Sequence, residues 1–178
     1  ILSVDSTVDL YPADRRLESK GTAELENTHD VEIREVMVST HPFIQVSALA
    51  ISGAQRVEHR EASGTRIFRF EQPLAPGAQA QMTWDMTWDH QGFANPNELA
   101  VSGGSSTRVV ANGTFVNNSE IMPSLGYNRG AEIGDPATRR EYGLPPIQRL
   151  PELGDPQTLN LSQFTVARRT AFRTQFST

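Results

Sequence analysis

Residues 82–89 read Met82-Thr83-Trp84-Asp85-Met86-Thr87-Trp88-Asp89, a four-residue unit repeated once. Such a repeat can pass for a helical one, but period 2 sorts it completely. Met82, Trp84, Met86 and Trp88 then share one face, and Thr83, Asp85, Thr87 and Asp89 share the other. Threonines, tryptophans and cleanly partitioned charge specify a strand with one buried side. The preceding Leu74-Ala75-Pro76-Gly77 supports this, since proline followed by glycine fits the two central positions of a type II turn. A chain holding such a strand needs further strands beside it and an apolar layer against it.

Those strands are visible by the same period. Leu2, Val4, Val8 and Leu10 alternate with Ser3, Asp5, Thr7 and Asp9, and Pro12-Ala13-Asp14 reads as the turn that follows. Leu17, Gly21, Ala23 and Leu25 then alternate with Glu18, Lys20, Thr22, Glu24 and Glu26. The polar stretch 27–30 is a second turn, leaving the first two strands as neighbours and starting a third near Ile33. Val36 and Val38 continue that pattern up to Pro42. Segments 44–51, 56–60 and 66–71 read as further short strands. Near the end, Phe164, Val166, Phe172 and Phe176 share one parity, opposite Thr165, Arg169, Arg173 and Gln175.

Between these ends the character changes. Residues 91–163 are rich in Gly, Pro, Asn and Ser, and their apolar residues come without stripes. One helix is expected there: Asp135 caps, Pro136 takes the first helical position, residues 137–142 follow, and Gly143 stops it before Pro145-Pro146. Gly154-Asp155-Pro156 repeats the opening chemistry. The expected fold class is all-β, a mainly antiparallel sandwich or saddle with a long irregular insertion carrying one or two short helices. As one β domain over 1–178, its sheet residues are 1–90 and 164–178, its loop region 91–163, and its helix near 136–142. A loop region of that length is expected to be functional or to pack against something else.

Composition narrows the function. The chain of 178 residues has no cysteine, which removes disulfides and thiolate zinc sites. Its net charge of −5 disfavours nucleic acid or an anionic membrane surface as partner. No apolar run is long enough to span a bilayer. Of 16 basic residues only Lys20 is a lysine, which reads as codon bias rather than chemistry. The chain opens at Ile1 rather than at a methionine, so either a leader is removed or it is an internal fragment, and its last strand runs to the final residue without a turn or cap.

Catalytic patterns are missing. His29, His41, His59 and His90 have no i, i+4 partner, no His-Glu-x-x-His occurs, and all four are read as solvent-facing histidines of turns and strand ends. There is no Gly-x-Ser-x-Gly elbow and no phosphate-binding glycine loop; Ser102-Gly103-Gly104-Ser105-Ser106 is read as a flexible loop. Asp85 and Asp89 lie roughly 13 Å apart at normal strand rise, too far for a glycosidase pair. Trp84 and Trp88 are read as core rather than as a sugar or peptide platform. Asn112-Gly113-Thr114, Asn117-Asn118-Ser119 and Asn160-Leu161-Ser162 match the glycosylation pattern alone.

Several pieces, in order, resemble the N-terminal domain of the aminopeptidase N family of zinc metallopeptidases. They are Val8-Asp9-Leu10-Tyr11-Pro12, Gly21-Thr22-Ala23-Glu24-Leu25-Glu26-Asn27, Leu74-Ala75-Pro76-Gly77, and the tryptophan strand with Gln91-Gly92-Phe93. The second half is similar to one branch, in which a peptidase-like region is fused to a multi-spanning ABC transporter permease. The pieces there are Asn112-Gly113-Thr114-Phe115, Pro123-Ser124-Leu125-Gly126-Tyr127-Asn128 and Arg139-Arg140-Glu141-Tyr142-Gly143-Leu144.

The resemblance implies a saddle-shaped β domain that packs against a catalytic domain following it, which would hold the zinc; no cofactor is expected in this chain. Family members supply a Gln or Glu from this domain to hold the substrate amine, shortly before a Phe-Pro-Cys-x-Asp-Glu-Pro stretch. Here Ile121-Met122-Pro123-Ser124-Leu125-Gly126-Tyr127 stands in its place, without the cysteine or the acidic pair, and Asn112 falls near the anchor position. No catalytic or metal-ligating residue is therefore assigned. The residues expected to face substrate or partner are Asn112, Gly113, Thr114, Phe115, Glu120 and Tyr127. The implied partners are the following domain and, through it, a peptide, with no nucleic acid and no direct membrane insertion. The implied location is a soluble domain of a membrane-anchored parent, leaning to the extracytoplasmic side. The rival reading is a self-contained β-sandwich that binds protein or carbohydrate.

Overall fold

The computed structural model of the chain describes residues 1–89, 108–126, 133–146 and 170–178. They belong to two compact units, Ile1–Tyr127 with Thr170–Thr178, and Asn128–Arg169. His90, Gln91-Gly92-Phe93, the loop 102–106, Tyr127, Asn128, Gly154-Asp155-Pro156, the sequon at Asn160, and Phe164, Val166 and Arg169 lie outside the described residues.

The first unit is built by the alternation. β1 (Ser3–Tyr11) and β2 (Arg16–Glu26) form a hairpin around the Pro12 turn, with Leu10 opposite Leu17 and Val4 opposite Ala23. The chain then passes to a second sheet with β3 (Ile33–Ser39) and returns with β4 (Gln45–Ile51). β5 (Ala54–Arg60) and β6 (Thr65–Leu74) belong to the second sheet, and β7 (Gln79–Asp89) goes back to the first. Further along come β8 (Arg108–Val110), β9 (Gly113–Phe115), helix α1 (Asn118–Ile121) and β10 (Ser124–Leu125). β11 (Ala171–Ser177) closes the order.

The result is a sandwich of a five-stranded sheet, β11-β1-β2-β7-β4, and a four-stranded sheet, β10-β3-β6-β5. Pairing is antiparallel except between β1 and β11, which run parallel. The expected third strand near Ile33 exists and pairs with β6, while the place next to β2 is taken by β7. Apolar faces of both sheets meet in one core that includes Val4, Val8, Leu17, Val38, Phe68, Met82, Trp84, Met86 and Trp88. All four apolar residues of the Met-Thr-Trp-Asp repeat are buried there. On its outer face Asp85 is paired with Lys20, Nζ to Oδ2 3.0 Å, which raises the lysine's pKa.

Two knots tie the sheets together. At one end, the buried Asn27 donates from Nδ2 to the carbonyls of Val31 and Leu74, both at 2.8 Å. Its Oδ1 accepts from the His29 N–H, its own N–H donates to the Ala78 carbonyl, and its carbonyl accepts from the Gly77 N–H. The Pro76-Gly77 turn has the expected form, with Gly77 at φ 76° and the Ala78 N–H bonded to the Ala75 carbonyl. Gly77 is glycine because that φ strains any side chain. The second knot is the corner between β4 and β5. There the Ser52 N–H donates to the Gln81 carbonyl in one sheet, and the Gly53 carbonyl accepts from the Glu71 N–H in the other.

In the second unit, helix α2 (Pro136–Glu141) begins as its sequence dictates. The Asp135 carboxylate accepts from the Thr138 N–H at 2.8 Å and from the Thr138 hydroxyl at 2.7 Å, which holds its pKa below the ordinary value. Arg139 is turned inward and donates to the carbonyls of Ile133 and Pro145.

Candidate functional site

The residues singled out from sequence cluster on the stretch 108–126, which lies against the two sheets. Its first part is the β8–β9 hairpin, with Val109 opposite Thr114. Val109 is buried in the core while Ala111, Asn112, Gly113, Thr114 and Phe115 are exposed, Phe115 at 57%. The hairpin is thus pinned by one valine and offers its tip outward. Asn112, Gly113, Thr114 and Phe115 come together on this tip.

Glu120 is placed otherwise. It is only 4% exposed and sits in α1, where its carboxylate accepts from the Asn117 N–H at 3.0 Å. This is the reciprocal arm of a capping box, satisfying a donor at the start of the helix. The carboxylate is held by its own chain rather than presented to a ligand. Asn117 and Glu120 stand three apart, the spacing of that box, so the signal is legible in the sequence. Tyr127 lies outside the described residues.

The rest of the stretch is a plug. Ile121 is buried, and its carbonyl accepts from Trp84 Nε1 at 3.1 Å and from the Ser19 hydroxyl. A buried indole N–H requires a partner, and here the carbonyl at the end of α1, 37 residues away, supplies it. Pro123 is fully buried, Met122 is half-buried, and β10 adds to β3 through Ser124 and Leu125. The Gly126 N–H donates to the Met37 carbonyl at 2.8 Å.

His41 corrects the expectation of solvent-facing histidines. His29 and His59 are exposed, but His41 is half-buried and stacked on Trp88, ring centroids 5.1 Å apart and 20° from parallel. Its Nδ1 accepts from the Phe43 N–H at 3.4 Å, which places the proton of the neutral ring on Nε2, a buried atom without a hydrogen-bond partner. Burial lowers its pKa, and the charge of Glu120 opposes that shift.

Arg66 is a second buried polar group that periodicity did not foresee. It sits on the core face of β6 and is 6% exposed. Nη1 donates to Thr40 Oγ1 at 3.0 Å and to the Gly64 carbonyl at 3.1 Å, while Nε is buried and unpaired. Burial lowers its pKa, and Arg56 lowers it further. A shallow depression lined by Arg34, Glu35, Arg69, Phe70, Glu71 and Pro73 is electrostatically self-contained, since Arg69 pairs with Glu35 and Glu71 with Gln55.

Among the described residues, no three His, Asp or Glu side chains converge as a metal site, and no helix is long and apolar enough to cross a membrane.

No family model matches the chain, and no curated protein does. Among solved structures it is similar to an M1 zinc metallopeptidase from Deinococcus radiodurans, at 14% identity and TM-score 0.40, over 50% of this chain and 20% of that one. A mutant form of an M1 zinc metallopeptidase from the same organism, bound to a Tyr-Ser-Ala substrate, has the same identity and TM-score, over 54% of this chain and 21% of that one. The chain thus spans about a fifth of the length of these structures.

Proposed function

We propose that the chain is a non-catalytic β domain lying beside a zinc aminopeptidase-like catalytic domain in a longer, membrane-anchored polypeptide of the transporter-permease branch. Its hairpin tip, Asn112 to Phe115, would wall one side of the peptide cleft. One observation carries this reading. The motif pieces that resemble the aminopeptidase N-terminal domain are distant in sequence but are joined in space. Asn27, which ends the Gly21 motif, bonds directly to Leu74 and to the turn of Leu74-Ala75-Pro76-Gly77. Gly21 lies under Trp84 of the tryptophan strand, where a Cβ would meet Trp84 Cη2 at 2.8 Å and the Asp5 carbonyl at 2.7 Å. These residue types therefore serve one packing unit.

The test is the parent polypeptide. The stretch after Thr178 is expected to encode His-Glu-x-x-His with a downstream Glu, then several membrane spans. The purified parent should retain one zinc per chain through dialysis, and Phe115→Ser in the parent should raise KM for aminoacyl-peptide substrates more than it lowers kcat. A stop codon directly after Thr178 would favour the freestanding binding module instead.

A further inference from the structure

β11 is the end strand of the five-stranded sheet, and among the described residues no strand pairs with its outer edge. Its backbone groups divide by parity. The Ala171 N–H donates to the Leu2 carbonyl at 2.9 Å. Successive strand residues face opposite edges, so Ala171, Arg173, Gln175 and Ser177 serve β1, and Phe172, Thr174 and Phe176 aim their N–H and C=O groups outward. The same three residues share one side-chain face. Phe172 lies beside Val4, Phe176 lies beside Val8, and Thr174 Oγ1 is 2.9 Å from Ser6 Oγ. Phe172 is 45% and Phe176 53% exposed.

The other long edges are guarded. β4 is bulged between Val46 and Ala48, and β5 is bulged between Arg56 and Glu58 and lined with Arg56, Glu58 and Arg60. β11 pairs with β1 in unbroken register from Ala171 to Ser177 and has no proline, no lysine and no bulge. Open edges in regular register are templates for pairing with another strand.

We propose that this edge pairs with the same edge of a second copy, antiparallel about a two-fold axis at Thr174. The strand is self-complementary in that register. Phe172 stands opposite the partner's Phe176 on both sides of the axis, and Thr174 stands opposite the partner's Thr174. All three outward residues are used, forming about six backbone hydrogen bonds. The two exposed aromatic rings of each copy become cross-strand aromatic pairs. Arg173 falls opposite the partner's Gln175 and Ala171 opposite the partner's Ser177, so no like charges face each other directly; Arg173 also lies 3.9 Å from Asp5 of its own chain. The inference is independent of the peptidase-like reading.

Sedimentation of the 178-residue chain is the first measurement. A concentration-dependent monomer–dimer equilibrium is expected. Thr174→Pro removes an N–H that faces outward and leaves the β1 ladder intact, so it should weaken dimerisation at least tenfold, about 1.4 kcal/mol. The second measurement does not rely on that variant folding. The chain has no cysteine, and hydrogen-bonded antiparallel partners stand about 5.5 Å apart at Cα, within disulfide reach. Thr174→Cys should therefore cross-link into a homodimer on mild oxidation, and Val57→Cys, on another edge, should not. A chain that stays monomeric at every concentration, or a dimer in which Thr174→Cys fails to cross-link, overturns the proposal.

Discussion

Trp84 shows how one side chain can connect distant parts of a fold. Its ring fills the core over Gly21, and its N–H reaches the Ile121 carbonyl in the plug. Trp84→Ala removes both the packing and the hydrogen bond, so we expect a loss of about 3–5 kcal/mol in urea unfolding. Arg66 makes the opposite point. Its guanidinium is buried with one nitrogen unpaired and no carboxylate bonded to it. Its acceptor, the Gly64 carbonyl, already receives the Thr40 N–H at 3.0 Å. Arg66→Met should therefore fold with equal stability or gain roughly 1–2 kcal/mol, since an apolar side chain of similar length avoids the desolvation of a buried charge. Thermal unfolding decides, and a clear loss would show that the charge has a partner role.

Among the elements, the decisive ones are short. The turn at Asn27 carries the chain from one sheet to the other, and its side-chain amide joins the segment just before β3 to the end of β6. Asn27→Ala leaves the Val31 and Leu74 carbonyls without that donor inside the fold, at a cost of about 1–3 kcal/mol. Hydrogen exchange at Gly77 and Ala78 should accelerate together in that variant, because both N–H groups lie in the knot. Exchange that changes at His29 alone would mean the turn is held by something else. The plug of α1 and β10 is the second such element. Helix α1 is too short to stand by itself and is held by its capping box and by the burial of Ile121.

At the scale of the whole molecule, His41 makes stability depend on pH. Its folded pKa lies below the ordinary 6.5, so the unfolded chain takes up the proton first. Stability from this group is complete above that value and is lost as pH falls below it towards the folded pKa. Unfolding free energies from urea titrations between about pH 7.5 and about pH 5 should decline, with a slope below about 1.4 kcal/mol per pH unit for one group. His41→Phe keeps a ring on Trp88 and should flatten the profile. An unchanged decline would assign the effect to other groups.

How much of this was legible beforehand follows from the range of the interactions. Period-2 alternation marked β1, β2 and β7, the Pro-Gly turn marked the entry to β7, and the Asp-Pro opening marked α2. Each is set by neighbours a few residues apart, where side-chain direction and local capping decide. Burial of Met82, Trp84, Met86 and Trp88 followed from the same parity. The rest depended on contacts across the chain. That β7 rather than β3 lies against β2, that His41 is sheltered under Trp88, and that the Trp84 N–H finds the Ile121 carbonyl are matters of long-range pairing, which no local pattern encodes. The site residues divide in the same way. Asn112, Gly113, Thr114 and Phe115 lie on a hairpin tip, as a polar turn with one aromatic would. Glu120 is drawn inward because a helix start beside the core needs an acceptor for its free N–H groups, and only the tertiary structure places that start against the core.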